Sequence, residues 1–396
     1  MALLIAKWLG ASDRGVLALG QTIVNLIVLA ASLGLLSSAR IVLSSPRWGL
    51  SLRQYVRATR PLVGLDLVVT AVAALTVFPL LSRVSDPVLV AALVIMGTAH
   101  LRSGLLREGL HGVGWHRTAV TGEFVGAAAA LGLLGALWAS GTLTLHTGML
   151  SVVARPLVHQ LVQTISVRRQ MAAEPPGTAQ ERGLLGRLVR FSTPGLAVAA
   201  GMGVAGQMDR VLLGAFAGPA PVGVYASAAT LSVLAGTLPA AVAPMVVRSV
   251  ARGWQPAMHR YWWTRVMLGS AGISVLIGVF GSLLLEVWLG GEFAGSTPIL
   301  VLLLLGGMAM ASQLVDNSVN NGFGDLRASA VTALAGIPVG LIAYLVLIPR
   351  FGMVGCAVGN VLTYVTMAVV ARLLMRRTMA RHPAPAADEP REGATP

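Results

Sequence analysis

Eleven long, predominantly apolar stretches set the fold class of this 396-residue chain before any motif is considered. They lie near 15–38, 61–82, 88–104, 118–138, 147–166, 191–216, 222–247, 266–289, 297–315, 328–348 and 353–375. About 20 residues rising about 1.5 Å each cross the roughly 30 Å hydrocarbon core of a bilayer. In that medium backbone polar groups find no water, so only helices or closed barrels can span it, and runs this long are helices. Charged residues make up only 11% of the chain, against about 25% in soluble domains. With a mean hydropathy of +0.77, most of the chain must face something other than water. The expectation is an all-α polytopic membrane protein.

Orientation follows from the basic residues. Loops 39–60, 102–117, 167–190, 248–265 and 316–327, with the tail after 375, hold twenty-two Arg. The opposite side holds four basic residues, Lys7, Arg14, Arg83 and Arg350. This asymmetry places the Arg-rich loops in the cytoplasm. The net charge of +14 is read as topology plus attraction to anionic membrane lipids. Nucleic acid is excluded as a partner, because the arginines are scattered over separate loops rather than gathered in one patch. The single cysteine, Cys356, lies in an apolar helix, so no intramolecular disulfide can form. "MALLIAKWLG" has only a brief apolar run with its Lys on the wrong side, so no cleavable signal is expected.

The longest polar stretch between helices, 166–190, contains "AAEPPGTAQERG" and reads as a cytoplasmic linker. It divides the chain into an N-terminal lobe (1–166), a linker (167–190), a C-terminal lobe (191–375) and a disordered cytoplasmic tail (376–396). "WLGASDRGVLALGQTIVNL" (8–26) can be laid on "FAGPAPVGVYASAATLSVL" (216–234) at a constant offset of 208, pairing Gly10 with Gly218 and Gly15 with Gly223. The second copy is preceded by a full helix, whereas the first has nine residues before Gly10. The expectation is a twelve-helix design that lacks most of its first helix, built from the parallel repeats common in transporters.

Ionisable residues inside apolar runs mark functional positions, since each costs about 2.5–3.5 kcal/mol at mid-membrane and so faces a bundle interior or a wet cavity. Asp209 and Arg210 sit side by side in the outer part of the 191–216 helix. Gly195, Ala199, Gly203, Gly206, Arg210 and Gly214 form one stripe of that helix, open either to a neighbouring backbone or to a large ligand. Asp66, Glu123, His100 and His159 lie at comparable depth near the cytoplasmic side of the first half. They form either a proton relay or ion site used for coupling or gating, or four unrelated residues that snorkel to the headgroups. No cofactor is expected; a proton or sodium gradient is the candidate energy source. Gln313, Asp316, Asn317, Asn320 and Asn321 read as capping and turn chemistry. Trp48, Trp115, Trp254, Trp262 and Trp263 on the inner side, with Trp138 and Trp288 on the outer, form an aromatic belt. "GMGVAG" (201–206) matches a dinucleotide fingerprint but lies within a span, with no preceding strand, and is rejected. No metal-ligand spacing appears.

"MDRVLLGAFAGPAPVGVYASAATLSVLAGTLPAAVAPMVVRSVAR" (208–252) resembles the seventh and eighth helices of Wzx-type oligosaccharide flippases of the multidrug/oligosaccharidyl-lipid/polysaccharide (MOP) exporter superfamily. The resemblance continues through "VWLGGEFAGSTPILVLLLLGG" (287–307) and "LIPRFGMVGCAV" (347–358), and "AKWLGASDRGVLAL" (6–19) is similar to the family's junction of helices one and two. It implies two helical lobes around a central cavity that opens alternately to either side of the cytoplasmic membrane. The implied substrate is an undecaprenyl-diphosphate-linked oligosaccharide, flipped outward for cell-surface polysaccharide synthesis, with a polysaccharide polymerase or glycosyltransferases as partners. Arg210, Asp209, Arg155 and Gln207 are the candidate substrate-binding residues. A multidrug or small-cation exporter of the same superfamily is the alternative, and it would favour an acidic, aromatic cavity. A membrane glycosyltransferase or polymerase is a third reading, disfavoured by outer loops too short to build a catalytic surface.

Overall fold

The computed structural model describes residues 1–45, 48–173, 183–253 and 256–381, and every regular element among them is helical. The first half contains α1 (Ala2–Ala31), α2 (Leu35–Ser44), α3 (Leu52–Ser82), α4 (Pro87–Gly112), α5 (His116–Ala139) and α6 (Leu145–Ala173). The second contains α7 (Leu184–Ala217), α8 (Pro219–Ser232), α9 (Thr237–Arg252), α10 (Pro256–Leu283), α11 (Thr297–Gly322) and α12 (Leu326–Arg381). Among the described residues, nine helices are long and apolar enough to cross a membrane. The last of these contains two of the apolar runs, because α12 is kinked at Gly352 (φ 54°, ψ −129°). Helix α6, 29 residues long, covers the run 147–166 but is not among those nine, because His146, Arg155, His159, Gln160 and Gln163 interrupt its apolar sequence.

Two runs expected as single helices are interrupted. The run 15–38 breaks after Ala31, where Leu33 and Gly34 adopt φ of 48° and 80° before α2 resumes. The run 222–247 is broken by a 3-10 turn over Val233–Gly236. Hydropathy does not register such breaks, because the side chains on either side stay apolar. The first residues of the expected tail continue α12 to Arg381; residues 382–396, residues 174–182 of the expected linker and Trp254 lie outside the described residues.

Helix α3 shows what surrounds the molecule. Leu75 is 65% and Leu80 78% exposed, and Leu65, Val68, Val69 and Val72 are also exposed along the helix. A continuous apolar surface of this kind suits acyl chains and not water.

Helices α2 to α6 pack on one another, α9 to α12 do likewise, and α1, α2, α7 and α8 meet at a seam between the lobes. At the outer end of the seam α1 and α8 cross almost backbone to backbone. A Cβ on Gly15 would lie 1.7 Å from the Pro219 carbonyl oxygen, and one on Gly223 1.9 Å from that of Ala11. The offset of 208 carries Gly15 to Gly223 and Ala11 to Pro219, so the crossing is its own counterpart under exchange of the lobes. The elbows repeat as well: Gly10 has φ 84° and ψ 178°, and Gly218 has φ 84° and ψ −173°. Each elbow is covered by a charged side chain from the opposite lobe. Glu292 Oε2 accepts the Ala11 backbone N–H at 2.7 Å beside Gly10, and the Arg83 guanidinium lies against Gly218. Nearer the inner end the Ser38 and Ser192 hydroxyls hydrogen-bond across the seam between α2 and α7.

Candidate functional site

An assembly of polar side chains grows from four helices of the N-terminal lobe. Gln21 and Asn25 are one turn apart on α1; His100, Ser103 and Arg107 form a stripe on α4; Glu123 projects from α5; Arg155 and His159 lie one turn apart on α6. All line one cavity of about 340 Å³. Small residues on α5 permit the assembly. A Cβ on Gly126 would sit 2.6 Å from the Arg155 carbonyl oxygen, and one on Gly122 2.9 Å from the His159 ring. Without side chains there, α6 packs against α5 closely enough to bring Arg155 and His159 beside Glu123.

Charges alternate along the cavity wall. Glu123 Oε1 lies 3.4 Å from Arg155 Nη2, and its Oε2 lies 3.5 Å from Arg107 Nη1. Arg107 Nε reaches Glu108 Oε1 at 3.2 Å, and Glu108 also receives the Arg40 guanidinium. The chain Arg155–Glu123–Arg107–Glu108–Arg40 thus runs from α6 through α5 and α4 to α2 with one more cation than anion. Glu123 remains 43% and Arg155 55% exposed as side chains, and both line the cavity. At 3.4–3.5 Å these contacts are longer than the 2.7–2.9 Å of a strong charge-assisted hydrogen bond, so Glu123 holds both guanidinium groups loosely.

Three of the four titratable groups placed at one depth, Glu123, His100 and His159, therefore share this cavity with Arg155. Asp66 does not. It is fully buried on α3, and both its carboxylate oxygens lack hydrogen-bond partners. Thr70, one turn further along α3, packs against Gly97 of α4, which shows that this stripe faces the α3–α4 contact rather than the cavity.

Asp209 and Arg210 diverge. Asp209 is turned into the C-terminal lobe, where its Oδ2 accepts the Tyr225 hydroxyl at 2.7 Å and the Asn360 amide at 3.4 Å. Its Oδ1 accepts the Arg210 backbone N–H at 2.7 Å. The Arg210 side chain forms no ion pair with it among the described residues, and Arg210 Nε is buried with no partner. Asp209 thus ties α7 to α8 and α12 rather than pairing with the Arg210 guanidinium. Both residues border a second cavity of about 120 Å³ with Ser232, Asn360 and Tyr364. Gln207 lines neither cavity; its Oε1 is buried without a partner. The glycine stripe of α7 is largely a packing face, with Gly203 receiving Leu29 and Gly214 receiving Leu19 of α1, while Gly206 faces Tyr364.

Several residues had no place in the sequence-based site. Arg107 counts as a loop residue by hydropathy, yet α4 continues to Gly112 and carries it into the cavity. Arg14, counted with the outer segment, is buried in α1 at 5% exposure with its Nε unpartnered. Gln21 and Asn25, spaced i, i+4 in an apolar run, were the legible signal for a wet face on α1. Asp316 is no turn residue. Fully buried in α11, it is held at 2.9 Å by His259 and 2.7 Å by Arg372, while Gln313, Asn317 and Asn320 are buried beside it on the same helix. Among the described residues no group of His, Cys, Asp and Glu could hold a metal ion.

No family model matches the chain. An uncharacterized membrane protein of Methanocaldococcus jannaschii is 25% identical over 177 residues, 42% of this chain and 35% of that protein, so the match spans about a third of that curated relative's length. Solved structures are similar over nearly the whole chain. An inward-facing multidrug resistance MATE family transporter of the MOP superfamily superposes with a TM-score of 0.76 at 13% identity, covering 96% of this chain and 93% of that one. The lipid II flippase MurJ in an inward closed conformation gives 0.68 at 12% identity, covering 95% and 84%. A MOP superfamily transporter from Pyrococcus furiosus, described as having a binding pocket of reverse polarity, gives 0.58 at 15%, covering 93% and 91%. Together with its apolar helices, these likenesses make the chain a multi-pass membrane protein with the fold of the MOP superfamily transporters.

Proposed function

We propose that this protein is a flippase that moves an undecaprenyl-diphosphate-linked oligosaccharide across the cytoplasmic membrane by alternating access, for cell-surface polysaccharide synthesis. The observation that carries the reading is the chemistry of the N-terminal cavity. Its wall offers two arginines against one exposed carboxylate, with Gln21, Asn25 and Ser103 as hydrogen-bonding groups and no aromatic ring apart from imidazole. Guanidinium forks match a diphosphate bidentately, and amides and hydroxyls suit sugar hydroxyls. An organic cation would instead seek carboxylates and aromatic faces.

Glu123 fits this scheme as an internal counter-ion. It spaces Arg107 and Arg155, and an arriving diphosphate would compete for both. Exchanging one anion for another spares the site the cost of leaving cations unpaired in a low-dielectric interior. His100 and His159 lie on the same wall. Arg210, its Nε unpartnered beside the second cavity, is the corresponding cation of the C-terminal lobe. Glycosyltransferases that build the substrate and a polymerase that consumes it are the partners this activity requires.

The direct test is binding. The purified chain is expected to bind undecaprenyl diphosphate in preference to a lipophilic organic cation. Arg155→Gln is expected to weaken the diphosphate by about tenfold, on the order of 1.4 kcal/mol. Preferential binding of the cation, with Arg155→Gln neutral or improving, would replace this reading with that of a cation exporter. The exposed Glu123 carboxylate is the feature that favours that second reading.

A further inference from the structure

Two surface grooves flank α4, and neither is the N-terminal cavity described above. One, of about 510 Å³, lies between α3 and α4 and carries Arg60 and Arg102 over Val63, Leu67 and Leu105. The other, of about 420 Å³, lies between α4 and α6 and carries Arg102 and Arg168 over Leu157 and Leu161. Arg102 stands on the ridge between them and lines both. All three arginines are exposed, and no hydrogen bond or ion pair among the described residues engages any of their guanidinium groups.

All three stand at the inner border of an apolar run: Arg60 just before 61–82, Arg102 two residues from the end of 88–104, and Arg168 two residues past 147–166. Three unpaired cations along this border, beside exposed Leu67, Leu157 and Leu161, form an amphipathic receptor. Thr164, in the second groove, adds a buried hydroxyl oxygen with no partner. Exposed, unpaired arginines at this border, with apolar walls beside them, suit an anion that carries its own apolar chains. Basic pockets between transmembrane helices on the inner side are the setting in which acidic lipid headgroups are held.

We infer that the paired grooves around Arg102 bind an anionic phospholipid of the inner leaflet, with its phosphate on Arg60, Arg102 and Arg168 and its acyl chains along the leucine walls. The site is separate from the cavity wall and stands whether or not the protein is a flippase. Its occupant would brace α3, α4 and α6, two of which carry cavity residues.

The test is native mass spectrometry of the full chain released from bilayer discs, one set of phosphatidylcholine alone and one doped with phosphatidylglycerol. Phosphatidylglycerol is expected to be retained selectively. At about 1 kcal/mol per arginine near the membrane surface, Arg102→Gln should lower retention about fivefold, and the combined Arg60→Gln, Arg102→Gln, Arg168→Gln variant about a hundredfold. The side chains are exposed, so folding should survive; Arg377→Gln, elsewhere on the inner surface, serves as the control and should leave retention unchanged. Equal retention of the zwitterionic lipid, or full retention of phosphatidylglycerol by the triple variant, would overturn the assignment. So would displacement of phosphatidylglycerol by undecaprenyl diphosphate, which would make the grooves part of the substrate's path.

Discussion

At the scale of single residues, the decisive arrangement is one carboxylate held between two guanidinium groups at 3.4 and 3.5 Å. Its looseness has a functional consequence. Glu123→Gln removes the counter-ion but keeps the hydrogen-bonding shape, so diphosphate binding should tighten by about tenfold while release, and hence turnover, slows. Equilibrium binding and single-turnover rates on the purified variant check this; unchanged affinity would mean that Glu123 does not compete with the substrate. The same scale shows the limits of sequence reading. Glu123, His100, His159 and Arg155 were identifiable because each is ionisable in an apolar run, where its presence demands a reason. Arg107 was not, since hydropathy ends the α4 run near residue 104 although the helix continues to Gly112. The direction of Asp209 was equally hidden: its partners Tyr225 and Asn360 lie 16 and 151 residues away.

At the scale of helices, glycine placement decides which backbones approach and therefore which side chains converge. Gly126 lets α6 approach α5 at the level of Arg155. Gly126→Leu should force the two helices apart, with an overpacking cost of about 1–3 kcal/mol, and should lower substrate binding more than it lowers the melting temperature of the rest of the chain. A scanning thermal unfolding curve alongside a binding isotherm separates the two effects; unaltered binding would show that the cavity does not depend on this contact. The elbows at Gly10 and Gly218 were legible as an internal repeat, because a fixed offset carried matching glycines onto each other. The breaks at Leu33–Gly34 and Val233–Gly236 were not, because apolar side chains continue through them and only the backbone dihedrals change.

At the scale of the whole molecule, two lobes joined along α1, α2, α7 and α8 must part alternately at either end if the substrate is to cross. The outer end is closed by the glycine crossing of α1 and α8, and nearer the inner end the Ser38 hydroxyl bonds to that of Ser192. In a Cys356→Ala background, Ser38→Cys with Ser192→Cys should form a disulfide that halts transport, and reductant should restore it. Undiminished transport by the oxidised protein would show that this part of the seam never opens. Fold class was readable at this scale because eleven apolar runs admit few other answers, whereas the substrate depends on which side chains share a cavity, a matter of packing across elements distant in sequence. The central claim is that the arginine-lined cavity carries a lipid-linked anion across the bilayer. Its most direct measurement follows a fluorescent undecaprenyl-diphosphate oligosaccharide in proteoliposomes, with a membrane-impermeant quencher reporting the leaflet it occupies. Fast loss of inner-leaflet protection with the native chain, slowed at least tenfold by Arg107→Gln with Arg155→Gln, is the predicted result; translocation no faster than in protein-free vesicles, or equal rates in the native and doubly substituted proteins, would contradict it.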